Sequence, residues 1–360
     1  MASSEPNTPQ KRADISENWL LKKYKKAFMK LLEDHTTHKN IIWATDSYES
    51  MGDGYGFYDE ITIEKITGEN GLTIRPRALK QKNEQLKRIK DKAEVFTPSW
   101  ICNAQNNLID EAWFGRPDVF NKEITLEDGT HTWIPTEEKI QFSEEKGKTW
   151  QDYVKDMRLE ITCGEAPYLV SRYDAVTGEP IEDLKMRIGL LDRKLRVISE
   201  NVDDDEKWRE WAKRALESIY GYEWQGDSLL LAREAILMTV LDYYKEKFNK
   251  SYDGRNLPGI ARIISWNLWQ MDGLKYVIPG SCDRIPLDET EKMFPELNHS
   301  QYKECKACKK GIGKHIGKHA RIMDWEMFNK LGLTKYKKNP NLAQVSFIKL
   351  GQPQFCETEN

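Results

Sequence analysis

A chain of 360 residues, 39% hydrophobic and 31% charged, is long enough to bury a substantial core and fits two domains or one domain with additions. Its formal net charge of −3 excludes a general polycation, so any nucleic-acid binding must come from local patches. No apolar run suits a bilayer, Met1–Ala13 has no signal-peptide core, and six scattered cysteines do not form a disulfide framework, so the sequence reads as a reduced, cytoplasmic protein with no membrane partner.

In chain order, Met1–Asp14 reads as disordered. Glu17–Glu33 reads as an amphipathic helix, with Leu20, Tyr24, Phe28 and Leu31 at helical spacing. Ile41–Thr45 reads as a short strand and Ser47–Asp59 as a loop. Arg75–Lys92 is strongly basic; it reads as a solvated face, with phosphate contact as the other reading. Thr97 suits a helix cap and Pro98 the first helical position, before Ile101, Ala104, Leu108 and Ala112 at helical spacing. Asp118–Gly147 reads as a hairpin turning at Asp128-Gly129. Ile181 to Ile198 and Trp208 to Ala215 carry helical spacing, Ser218–Glu223 reads as a buried strand ending in an acid, Leu229–Phe248 as a long helix, and Ile263–Trp269 as a third strand ending near Asp272. Alternating strands and helices predict an α/β fold with a mostly parallel sheet.

The chemistry concentrates at the ends of the predicted strands. Leu159–Leu169 combines an apolar run, the acid Glu160, a Cys163-Gly164 turn and a helix-compatible restart. Gly164 lets a ligand approach the backbone, and a helix N-terminus would aim N–H groups at it. Glu160 would repel phosphate but suits a cofactor carrying an amino-acid end and positive charge, which points to S-adenosylmethionine. Glu223, one strand on, can accept ribose hydroxyls, Asp272 an adenine amine, and Trp224 and Leu268 can sandwich the ring. Bland roles stand beside these: Cys163 as a packing residue, Thr97 and Pro98 as a helix cap, Asp272 as a turn former before Gly273.

Four segments in order resemble the adenine-specific DNA methyltransferases of restriction–modification systems, the type called subunit M. Phe96-Thr97-Pro98 resembles the Phe-x-Thr-Pro element, and Glu160–Ala166 the Asp/Glu-Pro-x-Cys-Gly-x-Gly cofactor loop, with Ile161 replacing Pro and Ala166 replacing the last Gly. Tyr220–Glu223 resembles the ribose-binding strand, and Asn267–Leu274 the Asn-x-x-x-x-Asp-x-Leu element. The resemblance implies a Rossmann-like methyltransferase fold over 93–275, with an insertion near 174–217, a helical, basic N-terminal region over 1–92 and a Cys/His-containing extension over 276–360. It implies transfer of a methyl group from S-adenosylmethionine to the N6 amine of a flipped adenine in double-stranded DNA, with a specificity or nuclease subunit as partner. The cofactor would be held by Phe96, Thr97, Pro98, Glu160, Cys163, Gly164, Glu223, Trp224 and Asp272. The family's Asn/Asp-Pro-Pro-Tyr/Phe element, which grips the target base, is not found; Asn339-Pro340-Asn341-Leu342 lacks the second Pro and the aromatic, so the catalytic residues stay unassigned. The alternative is therefore a cofactor- and DNA-binding subunit that depends on a partner chain for catalysis. A small-molecule or RNA methyltransferase is a third reading.

Cys305-x2-Cys308 followed by His315-x3-His319 has the spacing of a structural zinc site, with Cys282 and His299 as substitutes for members of the set. Lys306, Lys309, Lys310, Lys314 and Lys318 would give such a knuckle a DNA-facing surface.

Overall fold

A computed structural model describes residues 14–80, 82, 85, 89–90, 97–145, 147–287, 302–311 and 313–346. Expectations for Met1–Ala13, Phe96 and His299 lie outside these residues.

Helix α1 (Glu17–Leu32) starts on Ser16, whose hydroxyl accepts from the Trp19 N–H at 3.3 Å, and buries Leu20, Ala27, Phe28, Leu31 and Leu32. A short hairpin of two-residue strands follows, β1 (Glu33–Asp34) with β2 (Lys39–Asn40). The expected strand over Ile41–Thr45 is reduced to a bridge between Ile42 and Glu60. The segment's backbone is instead tied by Leu32, Asp59 and Phe57 carbonyls and by the Gln270 side chain. A short helix α2 (Ile63–Ile66) leads into the basic run. Part of that run is no solvated face: Arg77 and Lys80 are buried, and Lys80 Nζ lies 3.3 Å from an Asp227 carboxylate oxygen.

Helix α3 (Ser99–Phe114) corrects two expectations. Its N-cap is Pro98 rather than Thr97, and the Ser99 N–H donates to the Asp174 carboxylate at 2.7 Å. Its buried face is polar (Asn103, Asn106 and Asp110 with Cys102), while Leu108 is 65% exposed. The polar groups are buried because they find partners: Asn103 and Asn121 exchange amide hydrogen bonds at 2.9 and 2.8 Å, and Asp110 accepts from Arg193 and Tyr153. The expected hairpin forms from β3 (Asn121–Thr125) and β4 (His131–Pro135), turning at Gly129 with φ +84°.

After helix α4 (Trp150–Lys155) comes the central sheet. Strand β5 (Arg158–Glu160) pairs in parallel with β6 (Ile219–Glu223), and β6 in parallel with β7 (Leu268–Gln270). Among the described residues no strand pairs with the other edge of β5. Helices α5 (Leu190–Asn201) and α6 (Asp205–Glu217) make the β5–β6 crossover. They bury Leu191, Leu195 and Trp208 completely, so much of the presumed insertion is core. The β6–β7 crossover is α7 (Gly226–Phe248) and α8 (Leu257–Asn267). Helix α7 is buried on nearly every side, as a largely apolar central helix must be, and it carries Asp227, Arg233 and Glu234 inside with it. Most of the expected third strand is α8: Pro258 sits in its first turn, and Ile260, Ala261 and Ile264 are buried at helical spacing, leaving only Leu268–Gln270 extended.

The C-terminal part holds strands β8 (Ile285–Pro286) and β9 (Tyr302–Lys303), helix α9 (Lys306–Lys310), β10 (Arg321–Met323), α10 (Trp325–Lys338) and β11 (Gln344–Ser346). It packs on the rest: Trp325 Nε1 donates to Asn267 Oδ1 at 2.7 Å, and one buried apolar cluster includes both Leu20 and Trp325. The whole is a mixed α/β fold with a central parallel sheet and ten α-helices among the described residues, where no helix is long and apolar enough to cross a membrane.

Candidate cofactor cavity and metal centre

A cavity of about 880 Å³ opens at the carboxyl ends of β5 and β6, where ligands bind in parallel α/β sheets. Five residues singled out in the sequence line it: Thr97, Glu160, Cys163, Gly164 and Glu223 meet there with a sixth, Trp224. Pro98, Leu268 and Asp272 are not among its lining residues.

The loop after β5 departs from the expectation that a helix begins behind Gly164. Thr162, Gly164 and Ala166 have φ of +48°, +54° and +61°, so the chain winds through three left-handed residues into turns. Ala166, which stands where the resembled loop carries glycine, adopts a conformation that favours glycine. Two acids hold this loop. Glu160 accepts from the Tyr168 and Leu169 N–H groups at 3.3 and 3.2 Å, and Glu223 accepts from the Gly164 and Gln225 N–H groups at 2.8 and 3.1 Å. Burial raises both pKa values, that of Glu160 to about 8, against the lowering effect of these donors. Burial also pushes the Cys163 thiol well up; it packs against Gly221, where an added Cβ would lie 3.2 Å from the sulfur. The helix N-terminus at this cavity is that of α7, through Gln225 and Ser228.

Trp224 is fixed by its Nε1 donating to the Ala44 carbonyl at 2.9 Å and by the Phe57 ring set edge-on at 6.3 Å. Ala44 and Phe57 also line the cavity, as do Gln105, Asn106 and Tyr168. Sequence reasoning missed these residues because they reach the site from a loop and from the polar face of α3. Asp272 serves as the turn former: its Oδ1 accepts from the Leu274 and Lys275 N–H groups at 2.9 and 3.1 Å. The polar residue ending the third strand is Gln270. No Lys, Arg or His lines the cavity among the described residues, while two buried acids do. That electrostatic balance favours a ligand rich in donors or positive charge and disfavours a phosphate.

A second cluster lies in the C-terminal part. The sulfurs of Cys282, Cys305 and Cys308 and Nδ1 of His315 all fall within 4.8 Å of one another, with sulfur–nitrogen separations of 3.9, 3.8 and 3.4 Å. Zinc–sulfur and zinc–nitrogen bonds of about 2.3 and 2.0 Å place tetrahedral ligands roughly 3.5–3.8 Å apart, so this Cys3His set fits a structural zinc ion. The fourth ligand is one of the substitutes the sequence offers, in place of His319. His319 Nε2 lies 3.0 Å from the His315 carbonyl oxygen, and Cys282 takes the expected ligand position of His319. Gly317 permits the close approach, since a Cβ there would stand 2.8 Å from the Cys282 sulfur. Elemental analysis is expected to find one zinc per chain in the native protein and in His319→Ala, and to find it lost in Cys282→Ser; zinc retained in Cys282→Ser would refute this ligand set.

Comparison with protein-family models, curated proteins and solved structures returned no match.

Proposed function

We propose that the chain binds S-adenosylmethionine in the β5–β6 cavity and belongs to a DNA adenine-N6 methyltransferase of a restriction–modification system. The observation that carries the reading is the cavity's makeup: two buried acids, an aromatic ring and a glycine turn at the ends of parallel strands, without a basic residue among the described residues. Bound there, the cofactor would supply an activated methyl group. Glu223 would accept the ribose hydroxyls, Trp224 and Phe57 would pack on the adenine, and Glu160 would face the amino-acid end. The buried walls would exclude water from the sulfonium. The exposed lysines Lys306, Lys309, Lys310, Lys314 and Lys318 around the metal cluster support a phosphate-contacting surface.

A specific observation favours the second reading, in which a partner chain supplies the grip on the target base. The only near-match to the target-base element, Asn339–Leu342, is absent from the cavity lining, and the Asn341 side chain accepts from Arg321 at 3.0 Å. Calorimetric titration with S-adenosylmethionine tests the common premise. Glu223→Ala is expected to weaken binding at least tenfold, about 1.4 kcal/mol, and unchanged affinity would refute that residue's role. Tritiated-methyl transfer to DNA by the chain alone would then decide for the first reading, and transfer only with a partner for the second.

A further inference from the structure

The metal cluster stands directly behind one wall of the cavity. The turn Ile278–Asp283 carries the metal ligand Cys282. Two residues before that ligand, Gly280 has φ +69°, and a Cβ built there would stand 2.6 Å from Tyr58 Cε1 and 2.9 Å from Phe57 Cε1. The Gly280 backbone therefore lies against both rings, a contact that a side chain would not allow. Two residues after the ligand, the Arg284 guanidinium sits 3.5 Å from the centre of the Tyr58 ring. The Phe57 and Tyr58 rings pack with their centres 4.7 Å apart, and Phe57 meets Trp224 on its other neighbour's side. Phe57 and Trp224 both line the cavity.

The ties of this turn run to the metal-binding segment. The Ile278 N–H donates to the Lys318 carbonyl at 2.8 Å, and the Lys318 N–H donates to Ser281 Oγ at 3.0 Å. The Ser281 and Asp283 N–H groups bond within the turn, to the Ile278 and Gly280 carbonyls, both at 3.0 Å. Cys282 joins Cys305, Cys308 and His315 only through the shared ligand cluster. Neither Phe57 nor Tyr58 belongs to the large apolar cluster that unites Leu20 with Trp325. These rings are thus backed by a turn, and the turn is pinned by metal ligation. An ion that draws separate segments together contributes its binding free energy to local folding.

Resting on the cofactor reading and the ligand set above, we propose that the bound metal ion positions the Phe57–Trp224 wall through Gly280 and Arg284, so that metal and cofactor each raise the other's affinity. Gly280 and Arg284 are positioning residues: they act on the wall and touch no ligand themselves.

Amide hydrogen exchange of the full chain, zinc-loaded and zinc-stripped by chelation, tests this without any cofactor. The Ala44 N–H donates to the Phe57 carbonyl at 2.9 Å and the Trp43 N–H to the Asp59 carbonyl at 3.1 Å, so both report on the ring segment. Stripping is expected to speed exchange at these two amides about tenfold, to leave the buried α7 amides of Ile236 and Leu237 within about twofold, and to be reversed by added zinc. Unchanged exchange at Ala44 and Trp43 overturns the proposal. So does equal acceleration at all four amides, since the ion would then be a staple for the whole fold. Gly280→Ala keeps every metal ligand and is expected to retain one zinc while speeding exchange at Ala44; zinc retained with native exchange overturns the positioning role. Calorimetry with S-adenosylmethionine should show binding weakened about tenfold by stripping, and zinc affinity raised by the same factor at saturating cofactor. Equal cofactor affinity of the two forms overturns the coupling. A chain that binds no S-adenosylmethionine in either form overturns the cofactor reading, while the exchange result still decides whether the metal holds the wall.

Discussion

Replacing Arg233 by Met should destabilise the fold by about 3–5 kcal/mol, read from urea unfolding at neutral pH. The guanidinium is fully buried in α7 and donates to four backbone carbonyls: Leu31 and Glu33 at the end of α1, Ser265 in the last turn of α8, and Leu268 in β7. None of these acceptors is a carboxylate. The charge is favoured through space by the nearby Asp34 and Glu33 carboxylates and by the carbonyl ends of two helices, where the helix dipoles concentrate negative potential. Burial still lowers its pKa to about 10. Methionine would fill much of the volume and leave the carbonyls without donors. Arg233→Lys should recover only part of the loss, because one ammonium cannot reach the spread of acceptors that a planar fork serves.

Stability should fall as pH rises from about 4.5 towards 9, and Glu234→Gln should remove part of that slope. Glu17 in α1 and Glu234 in α7 are buried, and all four carboxylate oxygens lack hydrogen-bond partners among the described residues. Burial raises both pKa values, that of Glu17 to about 9, and each is raised further by neighbouring acids. The sign follows from proton binding. Between the ordinary carboxylate range and the raised values the folded chain holds protons that the unfolded chain has released, so raising the pH favours unfolding. Glu160, raised to about 8, acts in the same direction. Glu234→Gln is expected to match the native chain near pH 4 and to exceed its stability at pH 9 by on the order of 2 kcal/mol. Equal pH slopes for the two proteins in urea titrations would refute the account.

The sequence carried the parts of the fold that local pattern controls. A strand over Ser218–Glu223 and a helix over Leu229–Phe248 read directly from an apolar run, an acid and a long apolar repeat, and they form as Ile219–Glu223 and Gly226–Phe248. Glu160 and Glu223 were legible because strand-end acids share an edge in a parallel sheet. What pattern could not show was partnership across the chain. The face of α3 was misplaced because Asn121, Arg193 and Tyr153, far along the sequence, make its polar side the buried one. The helix expected after Gly164 is replaced by turns whose N–H groups are held by Glu160. The metal cluster was three-quarters legible from Cys305, Cys308 and His315. Its remaining member, Cys282, comes from beyond the local spacing and was legible only as a substitute, and His319 is close in sequence but bonded elsewhere.

Gln270 gives the cavity a property that no ligand contact reveals. Its amide oxygen accepts from the Ile42 N–H at 2.9 Å, and its amide nitrogen donates to the carbonyls of Ile42 and Trp224, both at 2.8 Å. A buried strand end thus clamps the two backbone segments that carry Ala44 and Trp224. Their conformational entropy is lost when the chain folds, not when a ligand arrives, so this wall meets an incoming ring preorganised.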